Sequence, residues 1–183
     1  IKYIKMYKLL AFILIAVCSA SCVSTQKAEE RAHARRVLQL RVVNAVSKRP
    51  IKVDVDYMMP RRVPAQHLTT NYSLTIFNDS VDSYLPYFGV AYQSNFGDGM
   101  RSPLIFTSKI SNLTIAEGKK NTFRITFSAK KGNEVFDYDL LIYDNGKARI
   151  QVQGSARESI DFSGNLVLPE FMKCGNDSRC TQL

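Results

Sequence analysis

The side chains of this 183-residue sequence that can do acid–base, nucleophilic or metal chemistry are few and widely spaced. The two histidines are His33 and His67. His33 lies in a charged amino-terminal stretch and His67 follows Pro64-Ala65-Gln66 in a loop-like segment; neither has a nucleophile or carboxylate at a spacing that local structure would bring into reach. Both read as surface residues. Asp54 and Asp56, and Asp137 and Asp139, stand two residues apart, so on a strand each pair shares one face. Such a pair can hold a cation or work as an acid pair, but alternation places both on a solvent face, which is normally polar. No Gly-x-Ser-x-Gly elbow, phosphate-cradling Gly-Lys-Ser/Thr loop or His-Glu-x-x-His pair is present. These residues assign no catalytic group, no metal and no cofactor.

A denser feature is Tyr84-Leu85-Pro86-Tyr87-Phe88-Gly89-Val90-Ala91-Tyr92, followed by the Gly-rich Asn95-Phe96-Gly97-Asp98-Gly99. Tyr84, Tyr87, Phe88 and Tyr92 would make an amphipathic ligand platform, since each tyrosine offers flat apolar area with a polar tip. The competing reading is a strand that ends at a Pro corner and buries its rings under a helix.

The cysteines speak of an address. Residues 1–21 hold Lys2, Lys5 and Lys8 with no acid, then the nine-residue apolar run Leu9 to Val17, then Ser19-Ala20-Ser21. A spanning helix needs about 20 apolar residues. A basic start, a short apolar centre and small residues make a secretory signal peptide, with Met6 an alternative start. Cleavage before Cys22 resembles the bacterial lipoprotein pattern, in which the thiol after two small residues is acylated and becomes the membrane anchor. Cys18 follows the bulky Val17 and fits that pattern less well; an ordinary secretory signal with Cys22 as a bystander is the alternative. Cys174 and Cys180 then remain, and with five residues between them they are expected to form a disulfide in an oxidising periplasm, worth at most about 2–3 kcal/mol. A Cys-x-x-Cys redox site would need two intervening residues.

Charge follows the same division. Losing Lys2, Lys5 and Lys8 from 25 basic residues leaves 22 against 16 acids, a net charge of +6. Residues 23–50 carry +5 of this, through Lys27, Arg31, Arg35, Arg36, Arg41, Lys48 and Arg49 against Glu29 and Glu30. Beside an anchor, Arg31, Arg35 and Arg36 can lean on anionic headgroups; a solvated helix face is the plainer reading. Nucleic acid is not expected, because the body has no basic stripe interleaved with stacking aromatics.

The elements that must position these residues fall into two periods. Ser24 or Thr25 can cap a helix running to about Ser47, with Ala34, Val37, Leu38, Val42, Ala45 and Val46 on one stripe. Leu40 and Val43 fall off that stripe, so a strand over 39–46 is an alternative. From Ile51 the period becomes two: strands are expected at 51–56, 72–76, 80–84, 105–108, 112–115, 123–127, 136–142, 148–152 and 159–162, with Asp144-Asn145-Gly146 as a hairpin turn. The expected fold is mainly β, an antiparallel barrel or sandwich of about eight short strands with one N-terminal α-helix. The organisation is a signal peptide over 1–21, a lipid-anchored tether and helix over 22–50, a β domain over 51–164 and a tail over 165–183.

Asp79-Ser80-Val81-Asp82-Ser83-Tyr84-Leu85-Pro86-Tyr87-Phe88-Gly89 carries a Ser-Tyr-Leu-Pro-Tyr-Phe-Gly core. Together with Val53-Asp54-Val55-Asp56, Pro60, Leu68-Thr69, Tyr72-Ser73-Leu74 and Asp144-Asn145-Gly146, it resembles a family of small envelope lipoproteins of unknown function from Bacteroidota, over about residues 26–164. The resemblance implies an exported, lipid-anchored domain and no particular reaction. The expected role is a non-enzymatic binding or structural module at a Gram-negative outer membrane. Alternatives are a carrier holding a small apolar or amphipathic ligand in a barrel cup, and a hydrolase of envelope polymer using a carboxylate pair.

Overall fold

The period-two patterns become eight strands, each hydrogen-bonded to two neighbours. In the computed structural model, which describes residues 27–48, 50–92, 102–119 and 122–168, these are β1 (Ile51–Pro60), β2 (Gln66–Phe77), β3 (Ser80–Tyr84), β4 (Ile105–Glu117), β5 (Phe123–Lys131), β6 (Glu134–Ile142), β7 (Lys147–Gly154) and β8 (Ile160–Leu166). All pair antiparallel in sequence order, and β8 returns to β1, closing a barrel. Closure leaves no strand edge, and it decides barrel over sandwich.

The strands differ from the sequence pattern where an irregularity hides the alternation. The two expected segments at 105–108 and 112–115 are one strand, β4, whose pairing with β5 shifts between Ser111 and Thr114. Asn112 takes a left-handed φ of 54° there, a conformation Asn tolerates. β2 starts at Gln66, so His67 is on a strand and not in a loop; it pairs with Tyr57 and its ring meets the Tyr57 ring edge-on at 4.9 Å. β8 runs to Leu166, two residues past the expected end of the β domain at 164. The Asp144-Asn145-Gly146 turn forms as expected, with Gly146 at φ 79°.

Residues 27–47 form the helix α1, which settles 39–46 as helix. Val42, Ala45 and Val46, at spacings of three and one, bury one stripe, while Leu40 stays 69% exposed. The chain makes two compact units, Ile1–Leu38 and Gln39–Leu183. In the first, the described residues are the helical turns 27–38, exposed up to Arg36. In the second, residues 39–47 cover the barrel end where the β6–β7 turn lies: Gln39 Nε2 donates to Asp144 Oδ2 at 3.1 Å, and Val42 lies against Gly146. No helix among the described residues is long and apolar enough to cross a membrane.

The barrel interior is packed. Phe127, Phe136, Tyr138, Leu140, Ile150 and Phe162 point inward with the buried residues of β1 to β3, while Arg124, Asp137, Lys147, Arg149 and Gln151 face out. An apolar inside and a polar outside reverse the arrangement of a transmembrane barrel. Tyr138 stacks on Phe127 at 4.8 Å, its hydroxyl donates to Ser83 Oγ at 3.1 Å, and Ser83 Oγ donates to the Leu104 carbonyl at 2.7 Å. Each polar atom in this interior chain thus has a partner.

Burial pushes the Tyr138 phenol well above its ordinary value of 10.0, against a smaller lowering by Ser83. Above that ordinary value the unfolded chain releases a proton that the folded chain keeps. Stability present below it is therefore lost as pH rises toward the folded value, by about 1.4 kcal/mol per pH unit. Urea unfolding between pH 8 and 11 should show this loss in wild type and a shallower slope in Tyr138→Phe; equal slopes would refute the assignment.

The expectation of a disulfide is corrected. The described residues contain no cysteine and no disulfide, and hydrogen bonding around all eight strands closes the barrel without one. Cys22, Cys174 and Cys180, the signal segment, the helix caps Ser24 and Thr25, and Asn95 to Gly99 lie outside the described residues.

Candidate functional site

Two surfaces bring together side chains with chemical content. The first is the barrel end opposite the Gln39–Asp144 contact. After β3 the chain turns at Pro86 and lies along the β7–β8 loop: Tyr92 N donates to Ala156 O at 2.8 Å, Glu158 N donates to Val90 O at 3.0 Å, and Ala91 bridges Arg157. Tyr87 is half-buried, and its hydroxyl lies 3.0 Å from Glu158 O. Beneath it, Arg157 Nε and Nη2 donate to Glu134 Oε1 and Oε2, each at 2.7 Å, with side chains only 10% and 5% exposed. The guanidinium stands 5.3 Å from the Tyr87 ring centroid and 5.9 Å from that of Phe136. Burial raises the Tyr87 pKa, and Arg157 works against that rise.

The four expected platform residues therefore divide. Tyr87 is a structural clamp. Tyr84, Phe88 and Tyr92 are 40%, 54% and 67% exposed, so the expectation of rings buried under the helix is not met. Tyr84 lies against Tyr72 at 5.2 Å, on the outer side of β3.

The second surface is the outer face of β5 to β8 and the end of β1. The register aligns Thr126, Asp139, Gln151, Asp161 and Met59 in one row across five strands, with Arg124, Leu141, Arg149 and Ser163 in the next. Arg124 Nε donates to Asp139 Oδ1 at 2.9 Å, and Arg149 Nη2 to Asp161 Oδ2 at 2.7 Å. Each carboxylate raises the pKa of its guanidinium, mainly through the hydrogen bond. Three concavities of about 320, 320 and 520 Å³ lie over these rows. The first two share Asp139 and the last two share Arg149, and Gln151 lines all three, so they adjoin in one grooved band across the outer face.

The expected aspartate pairs both face outward and neither works as a facing acid pair. Asp137 accepts from Ser128 Oγ at 2.6 Å and Asp139 is held by Arg124; Asp54 lies 3.4 Å from Lys52 Nζ, and Asp56 accepts from Asn165 Nδ2 at 2.6 Å. Among the described residues no three His, Cys, Asp or Glu side chains converge as metal ligands would. Sequence reading named Asp137 and Asp139 but missed Arg124, Arg149, Gln151 and Asp161. Their outward alternation is visible in Arg149-Ile150-Gln151-Val152-Gln153; which strand lies opposite is not.

Residues 35–166 match the family described as "Domain of unknown function (DUF4251)", well over half of the chain. The chain belongs to the DUF4251 family. It is similar to the crystal structure of a DUF4251 family protein from Bacteroides eggerthii DSM 20697, at 14% identity over 72% of this chain and 88% of that one, with a TM-score of 0.53. That likeness shows a shared fold. No curated protein matches. The expected kinship with a Bacteroidota family of unknown function thus stands at the level of DUF4251; lipid anchoring was read from residues 1–22, which lie outside the described residues.

Proposed function

We propose that this DUF4251 chain is an exported envelope protein, anchored by lipid on Cys22, whose barrel serves as a non-catalytic binding or structural module. The observation that carries the module reading is the packed interior: aromatic and aliphatic side chains fill the barrel, so recognition belongs to its outer surface. The same packing removes the motive for a carrier cup, which needs a cavity of several hundred cubic ångströms inside. The anchor rests on Lys2, Lys5 and Lys8, the run from Leu9 to Val17, and Ala20-Ser21 before Cys22. Arg31, Arg35 and Arg36 sit exposed on the helix that follows, where an anionic leaflet would favour them.

Growth on a fatty-acid analogue should label wild type and spare Cys22→Ala, which should also leave the membrane fraction. Equal labelling of both proteins would end the anchor reading. Membrane-free wild type found in the cytosol with residues 1–21 intact would end the export reading.

A further inference from the structure

The outer groove has a chemistry that narrows its ligand, an inference resting on the reading of the barrel as a binding module and independent of the anchor. Its charged lining consists of Asp137, Asp139 and Asp161 against Arg61, Arg124 and Arg149, a balance of zero. Arg124 and Arg149 are each paired with a carboxylate in the same rows, so an ionic ligand meets as much repulsion as attraction. The rows carry polar groups from Thr126 to Asp161 beside the apolar surface of Leu141, Met59 and Pro60, so a wholly apolar ligand would leave those polar groups covered and unpaired.

What the groove does offer is a fixed alternation of forked donors and acceptors. Gln151 stands cross-strand between Asp139 and Asp161, and among the described residues its amide has no hydrogen-bond partner. Asp137, exposed on the same face, takes Ser128 Oγ on Oδ1 and has no other hydrogen bond among the described residues. An amide carries two donors and an acceptor, and a carboxylate held on one oxygen keeps lone pairs on the other. A ligand that both donates and accepts at closely spaced, uncharged groups matches this set, and vicinal hydroxyls do so. Because three adjoining concavities share Gln151 across four or more strands, a ligand that fills them is a chain and not a single ring. An extended peptide fits less well, since a closed barrel has no free strand edge for main-chain pairing.

We infer that the outer face of β5 to β8 is a binding groove for a neutral oligosaccharide, with Gln151 its central contact and the Arg124–Asp139 and Arg149–Asp161 pairs its flanking ones. The probes are neutral hexasaccharides of glucose, mannose, galactose and xylose, an oligogalacturonate as the acidic counterpart, and a Ser-Gly repeat peptide, titrated calorimetrically into the full-length chain. At least one neutral hexasaccharide should bind and the two controls should not. Gln151→Ala, an exposed change that removes no contact of the fold, should weaken binding at least about tenfold, and Gln151→Trp should abolish it by filling the groove, both at unchanged melting temperature. Tyr92→Ala, at the barrel end, should bind as wild type does. Binding by none of the neutral hexasaccharides, preference for the acidic chain or the peptide, or full retention in both Gln151 variants would overturn the assignment. None of these results touches the Cys22 labelling, so groove and anchor fail separately.

Discussion

Gly164→Ala should leave the barrel unfolded or destabilised by about 3 kcal/mol or more, an effect out of proportion to one methyl group. Gly164 sits in β8 opposite Val55 and beside Ala148, where the pairing of β1 slips between Val55 and Tyr57. That slip brings the β1 backbone over β8. A Cβ on Gly164 would overlap the Asp54 carbonyl oxygen and lie 2.9 Å from both the Asp54 carbonyl carbon and the Val55 Cα. Backbone cannot swing aside as the end of a flexible side chain can, so relief requires parting β1 from β8, the seam that closes the barrel. Gly132 makes the control: it has a positive φ of 59° with nothing within 4 Å of an added Cβ. Gly132→Ala should cost only the left-handed strain of about 1–2 kcal/mol. Urea titrations followed by far-ultraviolet circular dichroism compare the two; a Gly164→Ala midpoint close to that of Gly132→Ala would refute the close approach.

The same glycine shows how the sequence conceals part of the fold. Ile160, Phe162 and Leu166 mark the inward face of β8, but the missing side chain at 164 breaks the alternation, and the strand expected from the sequence stops at Phe162. Asn112 does the like in β4, where one left-handed residue splits a strand into two patterns. Where alternation is unbroken, as in Phe123 to Phe127, Phe136 to Ile142 and Ala148 to Val152, sequence and structure agree, and the Asn-Gly turn fixes the β6–β7 register. Barrel against sandwich depends on β1 meeting β8, two segments more than 90 residues apart, about which local period says nothing. The groove fails to appear in the sequence for a related reason. Gln151 is an ordinary outward residue until register sets Asp139 and Asp161 on either side of it.

Arg157→Leu should cost about 3–5 kcal/mol, the penalty of leaving a carboxylate buried without its partner. Glu134 was the least legible residue of all, because it heads β6 directly after the Lys131-Gly132-Asn133 turn, where a charge ordinarily faces water. Here it is inward, and Arg157 arrives from the β7–β8 loop to take both its oxygens. Arg157→Lys is not conservative at this position: an ammonium cannot reproduce the two parallel donations to Glu134 while standing over the Tyr87 and Phe136 rings. The cap depends on the same group, since Tyr87 rests on the guanidinium and Tyr92 and Val90 are tied to the loop that carries it. Hydrogen exchange should therefore quicken at Tyr92 and Glu158 in Arg157→Leu, along with the global loss. Glu134→Leu combined with Arg157→Leu removes both charges and should recover most of the stability, because two apolar groups leave no orphan in the interior. A double variant as unstable as Arg157→Leu alone would place the cost in lost packing around the guanidinium and not in the uncompensated carboxylate.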